Sequence, residues 1–160
     1  MAPPKLTATV RYVPEGTRKI YYVPAIATQS SPTRAEINAG TDLSDEIAEM
    51  SGFTVTSDTA ETPDMASRFT SKIPARITAD DSTIRMYATV TSNDVRAVLP
   101  RDTAGFVLCL WEGDVPGQKM DVFPVKVGAT SVQTGVEDPG SVEVQFTITK
   151  IPSQNVTVPA

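Results

Sequence analysis

From Val142 to Thr149 the chain alternates without a break: Val142, Val144, Phe146 and Ile148 are apolar, and Glu143, Gln145, Thr147 and Thr149 between them are polar. Successive side chains of an extended chain point to opposite faces, so this spacing sorts the residues onto one buried and one wet face. A helix, with its period of about 3.6 residues, would scatter the same set around its axis. Thr83 to Val90 repeats the device, with Ile84, Met86, Ala88 and Val90 on one side and Thr83, Arg85, Tyr87 and Thr89 on the other. A chain governed by this period folds as sheets.

Other segments extend the pattern. Leu6, Ala8, Val10 and Tyr12 alternate with Thr7, Thr9 and Arg11. A turn at Pro14-Glu15-Gly16 then leads to Arg18–Ile26, where Ile20, Tyr22 and Ile26 are in phase and Pro24 bends the far end. The two segments are expected to pair as a hairpin. Gly52–Ser57 and Arg68–Ile77 look like the arms of a second hairpin, joined by a long acidic loop over about 58–66. Phe106–Trp111 is apolar on both faces and predicts a central strand covered on both sides. Trp111 is expected in the core or an interface. Met120–Val127 follows, with Phe123, Val125 and Val127 in phase and Pro124 opposite, and a loop spans Gly135–Gly140.

Two places depart from strand spacing. Thr33 and Glu36 stand at capping-box spacing ahead of a short helix over Arg34–Ala39, with Gly40 as its stop. Beyond it, Leu43, Ile47 and Met50 fit either a helix or an irregular strand. Ser92 is expected to cap a second short helix whose stripe is Val95, Val98 and Leu99, ended by Pro100. Lys150–Pro159, with two prolines, reads as an arm that orders only on another surface. The sum is a mainly β chain, a sandwich or barrel-like domain of seven to nine strands with one or two short helices. It forms one domain over 1–150, followed by an arm over 151–160.

Composition narrows the chemistry. The 160 residues include no histidine, which removes Ser-His-Asp triads, Cys-His pairs and His-ligated metals. No CxxC, P-loop or GxGxxG spacing occurs. The single cysteine, Cys109, lies in the most apolar run and reads as a small buried hydrophobe. Nothing points to a catalytic residue, a metal or a cofactor. No apolar run approaches the ~20 residues of a membrane helix, and Met1-Ala2-Pro3-Pro4-Lys5 lacks a signal-type apolar core, so a cytosolic start is expected. A net charge of −5 opposes the profile of a nucleic-acid clamp.

Several stretches together resemble the major tail protein, the tail-tube subunit, of long-tailed siphophages. They are Ser31-Pro32-Thr33 leading through the short helix into Asn38-Ala39-Gly40-Thr41-Asp42-Leu43, then Gly52-Phe53-Thr54-Val55, Ser67-Arg68-Phe69, Thr103-Ala104-Gly105-Phe106-Val107 and Gln118 to Val125. The resemblance implies hexameric rings of β-sandwich subunits stacked into a tube in the virion tail, assembled in the host cytoplasm. The partners it implies are further copies of the chain and tape-measure, tail-terminator and distal tail proteins. Viral DNA would pass as unbound cargo, and no membrane is involved.

On this reading Asp58, Thr59, Glu61, Thr62, Pro63, Asp64 and Met65, with Ile151, Val156 and Val158 of the arm, are candidates for ring-to-ring contact. The resemblance makes Glu143, Gln145, Thr147 and Thr149 candidates for the lumen wall, whereas on the residues alone the same polar faces read first as wet exterior, because half-exposed sheets usually face water. Another virion β-sandwich (a capsid decoration protein, or an adhesin-like or carbohydrate-binding module) and the tube of a bacterial injection system remain open alternatives. An enzyme is disfavoured by the missing motifs.

Overall fold

In a computed structural model the described residues are 3–6, 8–91 and 95–160. Their elements, in order, are β1 (Lys19–Val23), α1 (Arg34–Asn38), β2 (Thr41–Asp42), β3 (Ile47–Ser51), β4 (Val55–Thr62), β5 (Ser71–Ala79), β6 (Ser82–Tyr87), α2 (Val95–Val98), β7 (Ala104–Leu110), β8 (Lys119–Gln133), β9 (Ser141–Ile148) and β10 (Ser153–Thr157), with a 3₁₀ turn at Ser44–Glu46. The main sheet is antiparallel in the order β2-β1-β7-β8-β9-β6-β3, and β10 pairs with the start of β8. A separate two-stranded ribbon, β4–β5, stands outside it.

The sheet curls so that one face closes on itself. Ile20 and Tyr22 near one margin join Ile84, Met86, Val107, Cys109, Phe123, Val125, Val127, Val142, Val144 and Phe146 in one cluster, with Ile47 and Met50 of the other margin packed against it. The 3₁₀ link seals the gap, because Leu43 N–H donates to the Ile20 carbonyl (2.9 Å) and Ile20 N–H donates to Ser44 Oγ (2.9 Å). Every alternating residue expected inside β9 and β6 is in this cluster or against it, except Val90. That residue lies past the end of β6 and is exposed.

The opposite face is divided. Over β1, β7 and the start of β8, Val23, Leu108, Leu110, Met120 and Val122 form a second cluster covered by Ile37 of α1 and by Val156 and Val158. This is why Phe106–Trp111 is apolar on both sides. Over β9, β6 and β3 the same face is polar and uncovered.

Local rules explain several elements. The capping box at α1 is complete: Thr33 Oγ1 accepts from Glu36 N–H, and Glu36 accepts from Thr33 N–H at 2.7 Å. Gly40 ends the helix for a different reason than expected. It is not left-handed; a Cβ there would lie 2.7 Å from the Tyr22 carbonyl and from Val23 Cγ2. Val95 and Leu99 of the second helix are buried as anticipated, while the Ser92 cap lies outside the described residues.

Three expectations give way and one open choice is settled. Leu6–Tyr12 forms no strand among its described residues, because both sides of β1 are taken, by β7 and by β2 with the Ser44 hydroxyl. The region around Leu43–Met50 resolves into a 3₁₀ turn and β3. The acidic stretch placed in a loop over 58–66 is strand as far as Thr62, paired through Thr62↔Ser71. It hides from period-two reading because neither of its faces packs on the subunit. Finally, the C-terminal segment is no free arm: β10 adds to β8, and Val156 and Val158 are buried in the subunit's own second core.

Candidate functional site

What this fold offers is surface left unfinished. The ribbon is the first part of it. Every residue of β5 is exposed, and so is every residue of β4 beyond Val55. A lone two-stranded hairpin is marginal in water, and this one also exposes Met65, Phe69, Ile73 and Ile77. Its register slips between Ser57 and Thr59: one residue, Asp58, lies opposite two, Ala75 and Arg76. Ile77 pairs with Ser57 and Ile73 with Ala60, so the slip sends the two isoleucines to opposite faces. They are 55% and 52% exposed. Each face of the ribbon therefore carries an apolar residue that its own subunit leaves half exposed.

A corner aims the ribbon away from the sheet. Gly52 (φ 81°) and Phe53 (φ 55°) both occupy left-handed backbone, which is costly for phenylalanine. The conformation is held because Phe53 is buried against Phe123 (centroids 5.4 Å apart, edge to face) and Phe146 (6.0 Å). Its N–H donates to the buried Ser82 Oγ at 2.8 Å. At the foot of the ribbon a shallow groove of mixed lining brings Val55, Ile77, Ile148 and Ile151 together with Thr78, Thr149 and Lys150. Of the residues anticipated for ring-to-ring contact, Asp58, Thr59, Glu61, Thr62, Pro63, Asp64 and Met65 sit on the outer ribbon, and Ile151 is exposed at this groove. Val156 and Val158 are withdrawn from that set because they are core.

The polar face is the second part. Glu49, Arg85, Glu143 and Ser131 lie side by side across β3, β6, β9 and β8, with Arg85 3.5 Å from Glu49 and 3.9 Å from Glu143. Thr83 and Gln145 form the next row, and Lys126 and Thr147 pair beyond it. Gln145 and Thr147 are exposed and Glu143 is half-buried, while Thr149, just past the strand end, donates weakly to the Pro124 carbonyl. This surface is hydroxyl- and amide-rich with few unpaired charges.

Charged groups elsewhere hold the frame. Arg34 Nη2 donates to Asp114 at 2.7 Å and Tyr21 Oη donates to the same carboxylate at 3.1 Å, tying α1 and β1 to the turn after β7. The Arg34 bond, with help from Tyr21 and against partial burial, keeps the Asp114 carboxyl below the usual carboxylate range. Burial, reinforced by Asp114, pushes the Tyr21 phenol up to about 12. Burial likewise raises Cys109 well above an ordinary thiol, so it stays protonated and unreactive. Trp111 is half-buried at the core margin and donates to Asp121 at 2.8 Å. Neither the Gly52–Phe53 corner nor the Arg34–Asp114 tie was foreseen. The adjacent positive-φ pair leaves no mark in composition, although glycine before a buried aromatic was its one visible trace.

Comparison with known proteins agrees with this picture of a building block. A family model described as phage tail tube protein matches residues 7–160. Among solved structures the fold is similar to a chain in the structure of an extracellular contractile injection system, PVC sheath/tube terminator in the extended state (TM-score 0.63, 10% identity, covering 91% of this chain and 99% of that one). It is similar to a chain of the SPP1 tail tube (TM-score 0.52, 10% identity, 89% and 79%) and to one from the tail of an empty GTA particle (TM-score 0.52, 8% identity, 86% and 93%). No curated protein matches by sequence. With the family model spanning nearly the whole length, this chain belongs to the phage tail tube protein family, a structural protein of the virion tail.

Proposed function

We propose that copies of this chain close into six-membered rings, that the rings stack into a tube, and that the polar face of β3, β6, β9 and the end of β8 lines its bore. The observation that carries this reading is the ribbon: a subunit working alone has no use for a protrusion with apolar residues on both faces. Sheet margins left unpaired in one copy are completed by the next, and closure of the ring removes the last free edge. Asp58, Thr59, Glu61, Thr62, Pro63, Asp64, Met65 and Ile151 make the ring-to-ring contact. Glu143, Gln145, Thr147 and Thr149 belong to the wall past which viral DNA slides, since hydroxyls and amides hold phosphate weakly and net acidity repels it within about 8 Å at physiological salt. The bore holds a tape-measure protein before DNA, terminator and distal tail proteins close the two ends, and assembly takes place in the host cytoplasm.

The test is to replace residues 59–74 by a two-residue turn. The main sheet has no pairing with the ribbon, so the variant should keep the parent's melting temperature. Electron microscopy should show no tubes. Tubes of normal length from this variant would refute the role of the ribbon.

A further inference from the structure

The segment before β1 carries strand spacing yet occupies no strand. Leu6 and Val10 are 96% and 93% exposed, and among its described residues the one side-chain bond found is Tyr12 Oη donating to the Trp111 carbonyl at 3.4 Å. That distance is beyond the normal range for an O–H···O bond, so little holds the segment where it is. It is an unused strand.

The subunit also carries an unused edge of matching length. On one side of β8, β7 pairs only as far as Lys126 and the turn before β7 reaches Val127. After a bulge at Gly128–Ala129, Thr130–Gln133 are paired on the other side, to β9, and on this side to nothing among the described residues. Two features mark that edge as incomplete. Val132 is half exposed although it pairs with the fully buried Val142, and Thr130 Oγ1 is buried with no hydrogen-bond partner. The charged row described above ends here as well: Glu49, Arg85, Glu143, then the small Ser131 at the edge, a sequence of negative, positive, negative and neutral.

We infer that Thr9–Val13 of one subunit adds as an antiparallel strand to Ala129–Gln133 of a neighbouring copy. This deepens the tube reading and rests on it. One register satisfies every observation. Val10 opposite Val132 puts the apolar pair on the inner face, next to the buried Val142. Tyr12 then faces Thr130 on the same side. Arg11 stands opposite Ser131 on the outer face, where its long side chain reaches past the serine to Glu143 and ends the row with a positive charge. Among the described residues Arg11 has no ion pair. A slip by one residue would put Arg11 against the inner face and lose both matches. Main-chain hydrogen bonds supply the attachment, as in other strand-addition contacts.

Mixing subunits that carry Val10→Cys with subunits that carry Val132→Cys tests the pairing, since the lone native cysteine is buried. Both positions are exposed, so neither change should disturb the fold. Treatment of assembled material with a short bis-maleimide should give one cross-linked dimer containing both variants. Arg11→Glu in the first variant, which sets a like charge beside Glu143, should reduce the yield at least tenfold. Well-formed tubes in the electron microscope with no such dimer would overturn the strand addition and leave the tube reading intact. Subunits that stay monomeric at high concentration would overturn both.

Discussion

At the scale of single residues, the fold depends on a few positions where one atom more would not fit. Gly105 is the tightest. A Cβ there would lie 2.5–2.7 Å from the Tyr22 ring and hydroxyl, and that hydroxyl donates to the Ala104 carbonyl at 3.2 Å. Gly105→Ala should cost about 1–3 kcal/mol, since an overpacked core must shift backbone or rotamers to accept a methyl group. Urea unfolding would read this as a lower midpoint with an unchanged m-value. Titration behaviour also belongs at this scale. Asp114, Asp42 and Glu36 all have carboxyls held below their ordinary range in the folded chain, Asp114 chiefly by its bond from Arg34, Asp42, against partial burial, by Ser44 and Lys19, and Glu36 by the Ala27 and Thr33 N–H groups. Groups of that kind add stability above the unfolded carboxylate pKa of about 4, and the gain disappears as pH falls through the folded values. Tyr21 acts at the other end. It ionises at about 12 in the folded protein, against about 10 in the unfolded chain, so stability declines once pH rises past 10. Melting temperature measured against pH should be flat between about 5 and 9 and fall on both sides. A maximum lying outside that interval would contradict the assignment.

At the scale of elements, what the sequence discloses depends on what each element packs against. Strands β6, β7, β8 and β9 and the helix from Arg34 were legible because their alternation or capping reflects burial within the same chain. The ribbon was half legible: two arms were evident, but its outer reach looked like loop because Asp58–Thr62 buries nothing in its own subunit. Leu6–Tyr12 failed in the opposite sense, with strand spacing and no strand beside it. The C-terminal segment was misread because its two prolines hid Val156 and Val158, whose partners lie more than thirty residues back on β8. Period-two reading reports the presence of a buried face without naming the molecule that covers it. The two isoleucines of the ribbon make the point testable. Ile73→Asp and Ile77→Asp should each leave the melting temperature within about 1 °C, as exposed positions usually do. Each alone should abolish polymerisation measured by light scattering, because the two faces meet different surfaces. If only one of the two mattered, the bulge would have no bearing on assembly.

At the scale of the whole molecule, the sheet has one face closed into a core and the other split between an apolar half under α1 and residues 156–158 and an uncovered polar half. That division gives the subunit an outside and an inside before any neighbour arrives. A wall built from the polar half should be indifferent to DNA, and the indifference can be removed by design. Gln145→Lys with Thr147→Lys changes two exposed side chains, adding about twelve positive charges per six-membered ring. Such tubes should retain duplex DNA at low ionic strength and release it as salt rises, by the counterion dependence of phosphate binding. Filter retention of labelled DNA across a salt series would show it, and equal retention by parent and variant would remove this face from the bore.

The slipped register in the ribbon reaches further than local geometry. With one isoleucine turned to each side, a subunit that meets a single neighbour shields half of what it exposes, and only one wedged between two shields both. Pairs in solution are then poor company for each other, while a ready-made rim with adjacent vacancies is a good host. Growth on such terms starts late, spreads from few seeds and favours lengthening an existing cylinder over beginning another.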